Sequence, residues 1–384
     1  MIDRLKHTTK KIFRKIYHRN SQIKPLITIT LSKSALFHNL NEFKKLAPHG
    51  LIAPTLKSNA YGHGVELIAK ELDNISAPFF VIDSYFETIV LRNENIKTPL
   101  LVIGYSTTDT ILKNNLKNII FTITSIEALD DLSKRADHNI HIHLKIDTGM
   151  HRQGILVNEL DQAFELIKAN TNIVLEGICS HLSDSDGADP SFTNSQINIW
   201  NSLVDKTLKQ FPALRYYHLS NTYGHQYTQK IKANVSRLGI GLYGLAEIPN
   251  LDLKPVLEMK TIISSVKKIK KGETVGYNNT FTADKDMVIA TIPVGYYEGL
   301  DRRFSNKGFV KIKGKFCKII GRVSMNISTI DVSELPGPKI GDEVIVFSSI
   351  STDKNSIKSI AEAAGTITYE IVVDIPEKIK RVIV

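Results

Sequence analysis

The amino-acid sequence predicts an α/β protein in two parts: an N-terminal (β/α)8 TIM barrel followed by a mostly antiparallel β C-terminal domain. Three observations carry this expectation. Short apolar, β-branched runs recur between residues 51 and 245. Amphipathic stretches with helical periodicity separate most of them. Beyond residue 258 the helical periodicity almost vanishes and alternating segments broken by turn residues take over.

Taken in order, the barrel strands are LIAPTLK (51–57), FFVIDS (79–84), PLLVIGY (99–105), IIFTITS (119–125), IHIHLKID (140–147), IVLEGICSHL (173–182), YYHLSNT (216–222) and VSRLGIGLYGL (235–245). Crossover helices include VELIAKELDN (65–74), EALDDLSKRA (127–136) and NELDQAFELIKAN (158–170). Eight strands alternating with helices are the pattern of a closed parallel barrel. LITITLSKSALFHNLNEFKKLA (26–47) adds a strand and a lead-in helix starting near Ser32. In the second part, KTIISSVKKI, DMVIATIPVGY, GFVKIKGKFCKIIGRVSM and DEVIVFSS read as antiparallel strands. One helix, SIKSIAEAAG, interrupts them, and KIKRVIV closes the chain. The expected organisation is a basic extension (1–26), a barrel (27–258) and a β domain (259–384).

Composition narrows the function classes. The net charge is +10, but residues 1–26 hold eight Lys/Arg against one Asp, so the body is nearly neutral. A basic tail on a neutral body is not a nucleic-acid-binding domain. The tail carries a loose apolar stripe, Ile2, Leu5, Ile12, Phe13 and Ile16; a surface helix on an anionic membrane and a solvated terminus both fit it, and the latter is favoured. It has no apolar core of a secretory signal, and no run approaches a membrane span. Two distant cysteines, Cys179 and Cys317, argue against a disulfide framework and fit a reducing cytoplasm.

In a barrel, chemistry sits at the C-terminal ends of the strands. There the sequence places Lys57, Arg152 in DTGMHRQG, His181, then Ser220, Asn221 and Thr222, and finally Arg237 and Gly239. Each alone reads as an ordinary polar or surface residue; together they outline one rim. A lysine partly withdrawn from water at an apolar mouth forms Schiff bases with aldehydes, and pyridoxal phosphate is the common aldehyde cofactor. Thr222, Gly239 and Ile240 stand where barrels cradle phosphate. An arginine such as Arg237 beside a pyridine nitrogen stays protonated and leaves that nitrogen unprotonated, which weakens the ring as an electron sink. His141, His143 and Asp147 share a strand face; packing inside the barrel explains them better than a metal site.

The motifs LKSNAYGHG, DTGMHRQGI, ICSHLSDSD, HLSNT, VSRLGIGLYG, VGYNNTF, TIPVGYYEGLDRR, GRVSMNIS and TITYEIV stand in one order over residues 27–381. In this set the chain resembles the pyridoxal-phosphate alanine racemases. The resemblance implies that Lys57 holds the cofactor and serves as one base, and that Tyr277 is the second base, supplied by the other subunit of a homodimer. It further implies that Tyr61, Thr222, Gly239 and Ile240 bind phosphate and that Asn221 lies near the cofactor. His181 meets both the base tyrosine and Arg237. Arg152 orients the phenolic oxygen and the substrate carboxylate, and Met325 offers that carboxylate its backbone N–H. Lys145 matches a lysine carbamylated in some members; a salt bridge inside the barrel is the alternative. Asp186, Tyr296, Arg302 and Arg322 match an access corridor. The implied product is D-alanine for peptidoglycan.

Departures from that pattern are expected at the entrance. Asn326 replaces the usual acid after Met325. MHRQ replaces a more common glycine-containing version. Glu377 falls near a position often held by a phosphate-capping tyrosine. These raise a broader, serine-accepting racemase as an alternative. A decarboxylase of the same fold is disfavoured, since no glycine triplet occurs. A non-catalytic cofactor carrier is disfavoured by the β domain.

Overall fold

The computed structural model describes residues 24–47 and 50–384. Most of the basic extension therefore lies outside the described residues, and with it the membrane contact considered for the tail. Among the described residues, no helix is long and apolar enough to cross a membrane.

The chain opens with strand β1 (Thr28–Leu31) and helix α1 (Lys33–Leu46). Ser32 caps that helix by accepting from Ala35 N at 3.2 Å, as serine does where the first amides lack partners. Eight parallel strands follow: β2 (Leu51–Pro54), β3 (Phe80–Ile82), β4 (Leu100–Val102), β5 (Ile119–Ile123), β6 (Ile140–Lys145), β7 (Ile173–Cys179), β8 (Tyr216–His218) and β9 (Val235–Leu238). All eight lie within the runs that the sequence marks. β3 to β8 form one continuous sheet, and β2 pairs with β9. Narrower joins close the ring: a Thr55–Val81 bridge on one side, and Arg237 N to Ser220 O at 3.1 Å on the other. Helices α2 (Val65–Leu72), α3 (Tyr85–Asn93), α4 (Thr108–Leu112), α5 (Ile126–Arg135), α6 (Leu160–Ala169) and α7 (Ser191–Gln210) make the crossovers. Ala53, Phe79, Val81, Leu101, Ile120 and Val235 pack together as a core separate from the main one. They are the alternate, inward positions of their strands and fill the barrel.

The second part is built on a nine-stranded sheet that also takes in β1. β1 pairs antiparallel with β10 (Leu257–Ile262) and parallel with the last strand (Lys380–Ile383). A segment grouped by sequence with the barrel thus hydrogen-bonds into the other sheet. Its alternation, with Ile29 and Leu31 buried, suits a sheet with one covered face, and sequence periodicity does not say which sheet that is.

Besides α8 (Ile357–Ala364), which the sequence anticipates, a second helix, α9 (Thr368–Val373), follows it. Its β-branched residues disfavour helix. Burial of Ile371 and Val372 at the barrel seam outweighs that weak propensity.

Candidate active site

A cavity of ≈ 260 Å³ opens at the C-terminal ends of the barrel strands. Its walls include Lys57, Tyr61, Lys145, Arg152, His181, Asn221, Thr222, Arg237, Gly239 and Ile240. Ten of the sequence-selected residues thus meet in one place. Four cationic side chains face the cavity and no carboxylate lines it, so it suits an anionic ligand.

Lys57 leaves β2 at the start of an unusual turn. Ser58, Asn59, Ala60 and Tyr61 all have φ between 51° and 55°, and Gly62 follows at 76°. Left-handed backbone costs an L-residue roughly 1–2 kcal/mol, so the surroundings must hold it. Glu87 accepts from Ser58 N at 2.8 Å, while its other oxygen caps α3 through Asp83 N and Ser84 N. Asn59 accepts from Val65 N at 2.8 Å. His63 stacks on Tyr243, ring centres 4.3 Å apart, and burial holds its pKa down to about 4. Gly62 is required: a Cβ there would stand 1.8 Å from Val372 O. The Asn, Tyr, Gly and His of SNAYGHG are therefore the parts of one strained turn that presents Lys57 and Tyr61.

Thr222 Oγ1 accepts from Gly239 N (3.1 Å) and Gly241 N (3.3 Å). Both lone pairs are thereby occupied and the O–H is left to donate. A Cβ on Gly239 would meet the Tyr61 hydroxyl at 2.7 Å, so that glycine makes room for the phenol. Burial raises the Tyr61 pKa and keeps it a neutral donor. Asn221 lines the wall and its Oδ1 holds Gly224 N at 2.8 Å. Threonine hydroxyl, phenol and glycine backbone form a donor-rich end suited to phosphate.

Opposite stands Arg237, buried at 7% exposure. Its Nη2 donates to Ser180 O (2.7 Å), Leu219 O (3.0 Å) and His181 Nδ1 (3.1 Å). Its Nη1 meets His218 O and His218 Nδ1. Arginine has no acceptor, so both histidines accept through Nδ1 and carry their proton on Nε2. His218 then donates from Nε2 to His143 Nδ1 at 2.9 Å. Burial and the neighbouring Arg237 push His181 and His218 well below the usual histidine range, and His143 down to about 3. All three are neutral. The hydrogen bonds of Arg237 run through Nη1 and Nη2, so among the described residues its Nε has no protein partner and is left as a free donor.

Burial, with Arg237, Arg152 and Lys57 nearby, also lowers the Lys145 pKa. Among the described residues no acid pairs with it, so the salt bridge inside the barrel is not formed. His141 pairs with Glu176 at 2.9 Å, and no group of three or more metal-ligating side chains occurs among the described residues.

The sequence reading missed Tyr369. It comes from α9 of the second domain, lines the cavity and faces Tyr61 with ring centres 5.8 Å apart. Glu377, expected near a capping tyrosine's place, is exposed and lies outside the cavity, whereas Tyr369 of TITYEIV lines it. Asn326 donates to the buried Glu298 at 2.7 Å, a contact a carboxylate could make only by taking up a proton. His151, in MHRQ, adopts φ 53° and Asp147 accepts from its N at 3.1 Å.

Tyr277 and Met325 are not in the cavity. Both lie on the second domain, 70% and 55% exposed.

Two family models cover nearly the whole described chain: "Alanine racemase, N-terminal domain" over residues 31–247 and "Alanine racemase, C-terminal domain" over 256–383. The chain belongs to the alanine racemase family. Among curated relatives, the alanine racemase of Lactobacillus acidophilus is 33% identical, with 95% of this chain and 98% of the relative covered. That of Carboxydothermus hydrogenoformans is 34% identical over 90% and 96%. Among solved structures, the alanine racemase of Clostridium difficile 630 superposes with a TM-score of 0.86 at 28% identity, covering 94% of this chain and 97% of that one. The Bacillus anthracis alanine racemase with bound L-Ala-P gives 0.86 at 27%, covering 95% and 96%. The (β/α) barrel with an antiparallel second domain is thus this family's architecture.

Proposed function

We propose that the protein interconverts L- and D-alanine with pyridoxal phosphate, supplying D-alanine for peptidoglycan. The observation that carries this is the carboxylate-free cavity where Lys57, Lys145, Arg152 and Arg237 converge.

The donor set fits the cofactor. Tyr61, Thr222, Gly239 and Ile240 would take its phosphate. Arg237 Nε would face its ring nitrogen, and Lys57 its aldehyde. When bound, the cofactor supplies an electron sink for the bond at the substrate's α-carbon.

The chain's own residues do the rest. Arg152 binds the substrate carboxylate. Racemisation requires a proton to leave one face and return to the other, which calls for two groups. Lys57 Nζ holds the proton on one side. The hydroxyl of Tyr277, exposed in its own chain, holds it on the other when a second copy brings it to the cavity, together with the Met325 N–H for the carboxylate. Tyrosine is a weak base near neutral pH. Neutral His181, with its proton on Nε2, is a donor that would stabilise the phenolate. Neutral amine is the form of lysine that takes up carbon dioxide, and the lowered Lys145 pKa favours carbamylation there, giving Arg152 a negative partner.

Nothing in the named relatives supports a serine preference, and the apparent entrance changes fall outside the cavity or pair with Glu298. The test is D-alanine formation from L-alanine by purified protein with added pyridoxal phosphate, beside L-serine. Turnover of alanine is expected to dominate; equal or faster serine turnover would overturn the assignment.

A further inference from the structure

We propose that Arg381, on the last strand, is a positioning residue that brackets the Lys57–Gly62 turn of the barrel to the end of the second domain and thereby sets the phosphate end of the cofactor site. The inference rests on the pyridoxal phosphate reading above.

Arg381 uses its guanidinium on backbone carbonyls. Nε and Nη2 both donate to Gly62 O, at 2.9 and 2.7 Å. Nη1 donates to Pro376 O (3.0 Å), Glu377 O (3.1 Å) and Ile379 O (2.9 Å). Nη2 also reaches Ile375 O at 3.2 Å. A residue that merely stitched the chain end would need only the last four of these carbonyls. Here the fork also reaches back to the close of the left-handed turn, across the seam between barrel and second domain. Five N–H groups in a rigid plane can serve both sides at once; a lysine ammonium, a point charge on a flexible stem, cannot.

The two segments so joined each carry a tyrosine of the cavity. The Gly62 end follows Tyr61; residues 375–379 follow α9, which carries Tyr369. The packing is as close as backbone allows. A Cβ at Gly62 would collide with Val372 O of α9, and one at Gly64 would stand 2.9 Å from Arg381 Cδ. Both glycines of YGHG make room for this bracket. Arg381 therefore fixes the spacing of Tyr61 and Tyr369 without touching the cavity.

The experiment titrates apoprotein with pyridoxal phosphate in wild type, Arg381→Lys and, as a control on the same strand, the exposed Lys380→Gln. Losing charged hydrogen bonds to Gly62 O should weaken cofactor binding about tenfold or more in Arg381→Lys, with Lys380→Gln unchanged. With cofactor concentration varied, its KM should rise far more than the kcat reached at saturation falls. If Arg381→Lys lowers the Tm of apo and loaded forms alike and leaves cofactor affinity unchanged, the residue is only a structural staple and the proposal fails. Wild type that does not bind the cofactor would overturn the reading beneath it instead. A measurement independent of the variant is hydrogen exchange in wild type. Cofactor binding should slow exchange in residues 57–64 and 375–381 together; protection confined to 57–64 overturns the bracket.

Discussion

The barrel mouth and the face of the second domain that carries Tyr277 and Met325 differ in almost every physical respect. At the mouth, Arg237 and Thr222 are withdrawn from water and held by several bonds each: Arg237 makes five contacts to carbonyls and histidines, and Thr222 two to amides. On the other face, Tyr277 stands 70% exposed, on a short turn whose Asn278 and Asn279 adopt positive φ. The mouth is preorganised for a ligand within one chain. The exposed face carries reactive types with nothing in its own chain to act on. On the proposed reading, the difference divides the active site into two half-sites, one finished by folding and one by association.

The largest effect should come from the finished half. Lys57→Ala is expected to lose the visible absorbance of the lysine-bound cofactor and essentially all turnover; an unchanged spectrum would remove the central assignment. Tyr277→Phe should keep the colour and lose roughly 10²–10⁴-fold in turnover, with the L-to-D direction hit harder. Equal loss both ways would leave the two-sided assignment unsupported. If a second copy completes the site, activity should also fall on dilution while the spectrum persists; parallel loss of both breaks the two-half-site picture.

Acid should act on the buried half through folding. His63 and His225 are held near 4 and His143 near 3 by burial. A depressed histidine pKa means the unfolded chain binds the extra proton first. Stability is therefore full above about pH 6.5 and falls as pH drops towards 4, by on the order of 1 kcal/mol per pH unit for each such group. Denaturant titrations at a series of pH values should show this slope, and His225→Asn should reduce it.

Smaller still is the Lys145 effect. Removing carbon dioxide from the assay should lower activity a few-fold by freeing Arg152, in line with loss of a single charged contact, and bicarbonate should restore it; the added mass on Lys145 is checked by mass spectrometry under mild conditions. Deleting residues 1–24 should leave turnover unchanged; a loss would assign the tail a part in catalysis.

The sequence by itself determined the eight barrel strands, since each is an apolar run too regular to be anything else once helices separate them. It also placed the reactive residues on one rim, because barrel strands all end on one side. What it could not contain is any relation between segments far apart in the chain. Strand β1 reads as a strand, but only hydrogen bonding assigns it to the second sheet. α9 reads as β-rich sequence, and burial at the seam makes it a helix, which is how Tyr369 reaches the cavity and why Glu377 does not. The left-handed turn after Lys57 was visible only as an odd cluster of small and polar residues. Its geometry depends on Glu87, Tyr243 and Val372, none of them sequence neighbours. Propensity and periodicity are local and survive in one dimension; strain, close approach and the neutrality of a buried histidine are set by what tertiary packing brings alongside.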